Sequence, residues 1–330
     1  SLPGLPDEPR LLGPTDLPGL RVYVNCLALS FDWIVVVNRV KPHTSFSGEI
    51  ESGLTKMLAV GIGGPMGARV VHSQGHEAIP GMIERIGGVL IERLPIIAGV
   101  ALVEDKRHRV RTIRVCKKEE FLEVDKSLLV EARKYLPVLP FEELDLLVVN
   151  KMGKCFSGTG MDTNVIGRVG IRGVPDKGMK VSCIVVLDLA EESQGNANGI
   201  GLADITTERL IKKIDYAATL KNVLTTSFLD RAKLPVVLSS DREAIETAVE
   251  LGSRSRGSFP VELSLRESLE PPMNLTSGLL FRRPLATDLR IAHIDNTLEI
   301  EEFYVSPSLT NNPKLEVIGP VQTMSFDETG

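Results

Sequence analysis

A chain of 330 residues with 43% hydrophobic and 25% charged residues has the composition of a globular protein and is long enough for two domains of common size. A net charge of -5 and an aromatic content of 5% exclude the basic, stacking surface of a nucleic-acid binder. Cys26, Cys116, Cys155 and Cys183 are widely separated with no CxxC pair, which argues against a disulfide framework, a zinc ribbon and a cysteine-held iron–sulfur cluster and makes a reducing, cytoplasmic compartment the expectation.

The opening segment from Ser1 is Pro-rich and reads as a linker or an interior start, so a natural N-terminal region is expected to precede it. Val22–Leu27 and Trp33–Asn38 are short β-branched runs that predict strands. The second is apolar on successive residues, which predicts a strand buried on both faces. A Gly-punctuated stretch runs on to Gly67, and Pro80 suits the first turn of a short helix over 79–86. Strands are predicted over 88–91, 97–103 and 110–116. Apolar spacing predicts a helix from Phe121 to Tyr135; this hinge helix, about 119–136, and the pair Pro137 and Pro140 set the expected domain boundary, with domains 1–137 and 138–330. The second domain opens with a buried-strand run over 144–150 and a Gly/Ser/Thr-rich loop to Arg168. A strand over 181–187, a helix from Asp204 through about Tyr216, a strand over 236–239 and a helix over 242–251 behind Asp241 follow. Residues 257–285 predict an irregular loop, and strands over 290–294, 298–305 and 315–318 close the chain, the last being candidates to return to the first domain. Strands alternating with helices imply an α/β protein with a mostly parallel sheet in each domain and a site in the cleft between them. No apolar stretch approaches the ~20 residues of a membrane span.

The chemistry-bearing residues concentrate early. Of five histidines, His43, His72 and His76 fall close together beside Lys41 and Lys56. Imidazole suits both proton transfer near neutrality and metal ligation. His43, after Pro42 at a strand end, is the better placed. His72 and His76 read equally as surface residues, His108 as a solvated loop residue and His293 as structural. Glu49 and Glu51 share a strand-like spacing that suits either an acid–base pair or a solvated face. Gly61, Gly63, Gly64 and Gly67 can bring backbone amides near a phosphate, although tight turns use glycine for the same reason. In the second domain Lys154, Asp162, Asn164 and Arg168 are candidates for closing on a ligand, Arg168 through a bidentate carboxylate pair.

The string PHTSFSGEIESGLTK over 42–56 resembles the core motif of the nickel-pincer lactate racemase family, in which a further histidine follows the lysine at the spacing of His72 from Lys56. The strings over 150–168, 195–204 and 218–222 resemble a branch of uncharacterised relatives of that racemase. The resemblance implies a two-domain α/β fold and a nickel ion held by a pyridinium bis-thiocarboxylate mononucleotide. Lys56 would be its covalent tether, His72 the protein ligand to nickel, His43 one of two acid/base histidines, and the glycines of 61–67 neighbours of its phosphate. Soft sulfur donors with one imidazole suit square-planar nickel. The turn between His43 and Lys56 is three residues longer than in the characterised racemase. The family's second catalytic histidine and a substrate arginine lie upstream, in a region absent from this chain.

These readings make the chain a racemase or epimerase of an α-hydroxy acid. The alternatives are a non-catalytic protein that binds the nickel cofactor or another mononucleotide, and a non-nickel enzyme acting on a sugar acid. The expected partner is a small-molecule hydroxy acid, with neither nucleic acid nor membrane.

Overall fold

The computed structural model describes residues 9–12, 19–106, 109–139, 141–255, 291–294 and 304–305. The chain divides into two compact units, one of Ser1–Leu136 with Lys221–Phe228, the other of Pro137–Leu220 with Leu229–Gly330. The architecture is α/β. Among the described residues no helix is long and apolar enough to cross a membrane.

In the first unit β1 (Pro9–Leu12) and β2 (Val22–Asn25) form an antiparallel pair. The run predicted through Leu27 stops at Asn25, whose side chain accepts from the Leu27 amide at 2.9 Å and caps a 3-10 turn. β3 (Ile34–Arg39), β4 (Ile96–Glu104) and β5 (Val110–Cys116) form a second sheet, β3 parallel and β5 antiparallel to β4. β3 is not buried on both faces as its composition predicts. Val36 is buried, while Val35 and Val37 are 50% and 54% exposed, because they point to the open face of this sheet.

Between β3 and β4 the chain is helical. α1 (Leu54–Lys56) passes through a π turn (Met57–Ile62) into α2 (Gly64–His72), and α3 (Ile79–Arg93) follows. The strand predicted over 88–91 lies inside α3. Ile79, Met82, Ile83, Ile86 and Leu90 repeat at helical spacing on its buried face. Gly87 serves close packing rather than a break, since a Cβ there would stand 2.3 Å from Cγ2 of Thr55. α4 (Phe121–Ala132) then leads into a 3-10 turn over Arg133–Tyr135.

The second unit holds the parallel sheet. β6 (Glu143–Met152) lies at its centre; α5 (Thr163–Ile166) follows in sequence, then β7 (Lys180–Leu189) and β8 (Ile205–Thr207). α6 (Glu208–Lys212), α7 (Tyr216–Thr226), β9 (Val236–Leu238), α8 (Asp241–Ser255), β10 (Ile291–Ile294) and β11 (Tyr304–Val305) complete the described elements. The strand order is β11-β10-β6-β7-β8-β9, all neighbours parallel except β10 with β11. The continuous apolar runs of β6 and β7 are buried as a sheet covered on both faces requires. The sequence reading misses β8, having assigned a helix from Asp204. The Thr206 and Thr207 hydroxyls donate to the Val186 and Leu187 carbonyls at 2.8 and 2.7 Å, which holds these β-branched residues in the sheet. Thr207 then caps α6 by accepting from the Leu210 amide. The loop predicted over 257–285, the strand over 315–318 and most of that over 298–305 lie outside the described residues, as does His108.

Candidate functional site

The site of the first unit starts in the loop after β3. The buried Glu51 carboxylate accepts from the His43 amide at 2.7 Å, the Gly48 amide at 3.0 Å and the Arg133 guanidinium at 2.7 Å. Arg133 also donates to the Gly48 carbonyl, and the Ser52 hydroxyl bridges the amide and carbonyl of Lys41. A loop of polar residues is thereby fixed without secondary structure of its own. Glu49 points away into solvent and pairs with Lys126 at 2.7 Å, which holds its carboxyl below the usual range. The two glutamates do not form an acid–base pair.

His43 stacks on Phe46 with ring centroids 4.1 Å apart. The Lys56 ammonium position lies 5.4 Å from the centroid of the same ring. Lys56 ends α1, a helix start held from outside by Asp125 of α4. The Asp125 carboxylate accepts from the Leu54 and Thr55 amides at 2.9 and 2.8 Å. Burial raises the Asp125 carboxyl to about 6, against the lowering effect of those bonds. Burial, then the charge of Lys41, pushes the Lys56 amine down to about 7, with Glu51 acting in the opposite sense. His72 closes α2, and burial, the Lys56 charge and His76 lower its imidazole to about 4. The rings of His72 and His76 meet Phe228 edge-on at 5.8 and 6.4 Å. His76 Nε2 is 2.5 Å from the Ser45 carbonyl, and the Ser45 amide is 3.1 Å from His43 Nδ1. A carbonyl only accepts and an amide N–H only donates. Nε2 of His76 therefore carries a proton and Nδ1 of His43 a lone pair.

His43, Lys56 and His72 thus belong to one neighbourhood, and His76 joins them. The glycines of 61–67 form no separate loop. They lie within the π turn and the start of α2, with the Gly63 amide donating to the Leu58 carbonyl and the Gly67 amide to that of Gly63. A Cβ at Gly63 or Gly67 would stand 2.3 or 2.5 Å from the Ala59 carbonyl oxygen, so these two glycines let the helix turn pack on itself. Gly61 faces the Met57 sulfur, and Gly64 adopts a positive φ of 61° in open space.

In the second unit, the strings over 150–168 and 195–204 meet residues 218–220 beyond the carboxyl ends of β6 and β7. Asn198 donates to the Gly158 carbonyl, the Thr219 hydroxyl accepts from the Ala197 amide, and the Ser193 hydroxyl accepts from the Lys154 amide. Burial lowers the Lys154 amine. Asp162 caps α5 by accepting from Asn164, amide and side chain. Arg168 pairs with Asp204 at 2.7 Å and donates to the Leu202 and Val181 carbonyls. His293 on β10 bonds Asn150 on β6. Four free cysteines are present.

Phe46, Asp125, Arg133 and Phe228 escape the sequence reading. Only Asp125 carries a signal there, as a carboxylate at helical spacing with Phe121, Val124 and Leu128 on a buried face.

No protein-family profile matches the chain. No curated protein matches it either. Among solved structures, the lactate racemase apoprotein from Thermoanaerobacterium thermosaccharolyticum aligns with a TM-score of 0.41 and 14% identity, over 71% of this chain. The chain spans 61% of that protein's length.

Proposed function

We propose that this chain binds a nickel-pincer nucleotide through Lys56 and His72 and inverts the carbon of an α-hydroxy acid, with His43 handling the hydroxyl proton. The observation that carries the reading is the shared ring of Phe46, with His43 stacked on it at 4.1 Å and Lys56 over it at 5.4 Å, in the same neighbourhood as an uncharged His72.

The donor chemistry fits such a group. With its amine lowered to about 7, Lys56 is partly uncharged at neutral pH and able to form a covalent bond as a nucleophile. His72, held neutral down to about 4, keeps a lone pair for a metal. Among the described residues no group of three or more His, Cys, Asp or Glu is placed to hold a metal ion, and His72 is the single protein ligand that the resemblance implies. When bound, the group supplies a two-electron acceptor and donor for the α-hydride. The protein's own part is to hold the ring of His43 against Phe46, keep water from Lys56 and His72, and move one proton.

The test is intact mass and nickel content of protein co-produced with the enzymes that make the cofactor. A mass adduct mapping to the Lys56 peptide is expected, absent in Lys56→Ala, with nickel lost in His72→Ala. Adduct-free protein with unchanged nickel in His72→Ala would overturn the assignment. An adduct with no inversion of any hydroxy acid would leave a cofactor-binding protein.

A further inference from the structure

We propose that the open face of the β3-β4-β5 sheet is a self-association surface, which pairs with the same face of a second copy of this chain. The proposal is independent of the hydroxy-acid chemistry above and goes beyond it.

One side of this sheet is packed. Val36, Ala101, Val103 and Cys116 are buried on the side where α1 and α4 lie, and Asn38 on that side donates to the Gly53 carbonyl. Strand alternation would make the other side polar if water covered it. It is apolar instead. Val35 and Val37 of β3, Ile113 and Val115 of β5 and the bulged Ile97 of β4 are half exposed or more. Trp33, in step with Val35 and Val37, is 75% exposed. The register sets Val37, Val100 and Val115 side by side, with Leu102 next to Ile113. These residues therefore form one contiguous patch, which scattered surface apolar residues do not. The charged residues in step with the patch, Arg39 and Glu104, satisfy each other at 2.9 Å at the carboxyl ends of β3 and β4. Of the β5 arginines, Arg114 opposes the buried Ala101 and so belongs to the helix side, and Arg111 lies over the ring of Tyr135 in the turn after α4.

A second copy fits this face in area, composition and shape. At these exposures the patch offers on the order of 600 Å² per copy, close to the roughly 800 Å² per partner of a standard interface. Its centre is uncharged and its ion pair sits at the rim, as in homodimers rather than in non-obligate complexes, whose contact surfaces are about as polar as the rest of a protein. Sheets of the same twist stack aligned, so a twisted face is its own complement in an isologous pair.

Trp33 is the single tryptophan of the chain, so its fluorescence reads this face directly. For the full chain, sedimentation velocity from nanomolar to tens of micromolar should show the mass doubling with no further growth. Trp33 emission should move to the blue over the same concentrations. Val37→Lys puts an ammonium in the middle of the patch and should weaken association about 100-fold or more. Its circular dichroism and the urea midpoint of the monomer should be kept, because residue 37 faces outward. Ile113→Lys, on the far strand, should do the same. Leu224→Lys, at an exposed apolar position on α7, should leave mass and emission as they are. A chain that stays monomeric throughout overturns the proposal, whether Trp33 emits from water or from an apolar setting. So does growth beyond two copies, or a dimer that survives both β-strand variants or is lost in Leu224→Lys.

Discussion

Burial biases Lys56 and His72 toward their uncharged forms, and each shift has a consequence for stability. The Lys56 amine is lowered from 10.5 to about 7 in the fold. Above 10.5 both folded and unfolded chains are neutral there. As the pH falls from 10.5 to 7 the unfolded chain takes up a proton that the folded chain does not, so the fold loses stability by up to about 1.4 kcal/mol per pH unit. Lys56→Met should therefore be more stable than the unaltered protein at pH 7, and urea unfolding at pH 7 to 10 should show the difference shrinking as pH rises. His72 is lowered from 6.5 to about 4, which makes its contribution fall away on acidification through that window. Because the Lys56 charge is one cause of that lowering, the same Lys56→Met variant should show a higher His72 pKa by proton NMR. Glu51 acts differently: it is buried and accepts from two amides and Arg133. Truncation to alanine strands all three donors, and Glu51→Ala should cost about 2 kcal/mol, read as a lower urea midpoint.

At the scale of elements, the candidate tether depends on how α1 begins. Gly53 has φ 99°, and a Cβ there would stand 2.1 Å from Asp125 Oδ1, the atom that accepts from the Leu54 amide. Only glycine allows both the turn and the cap. Gly53→Ala should lose about 3 kcal/mol of stability from backbone strain and the displaced carboxylate. It should also release Lys56 from its buried setting, which a rise in the lysine pKa would show. The π turn that follows widens the helix by one residue per turn between Lys56 and His72, a feature often retained at functional sites. It sets the angle between the two side chains that their sequence spacing alone leaves open.

At the scale of the whole chain, the histidines of α2 and the turn after it are sealed by a residue far along the sequence. Phe228 is buried against His72 and His76, and Lys221–Phe228 clusters with the first unit although the chain has already built most of the second. Phe228→Ala should cost about 3 kcal/mol and let water reach the His72 ring, raising its pKa toward 6.5. Thermal unfolding and histidine NMR read the two effects separately. If the His72 pKa stays near 4 in that variant, its burial comes from α2 and α3 alone.

The sequence by itself determined the α/β class, β5, the buried runs of β6 and β7, and the concentration of chemistry between Pro42 and His72. These follow from local periodicity, β-branched content and the rarity of histidine. Tertiary structure alone decided three things. It set Gly63 and Gly67 in close helix packing, because only the neighbour at the Ala59 carbonyl shows why a side chain is excluded at those two positions. It separated Glu51 from Glu49, burying one under Arg133 and leaving the other to Lys126, although the sequence treats them alike. It raised His76 from a surface residue to a member of the site through Ser45 and Phe228, 31 and 152 positions away in the chain. Contacts at such separations carry no local pattern, since each depends on where the backbone returns rather than on which residues stand side by side.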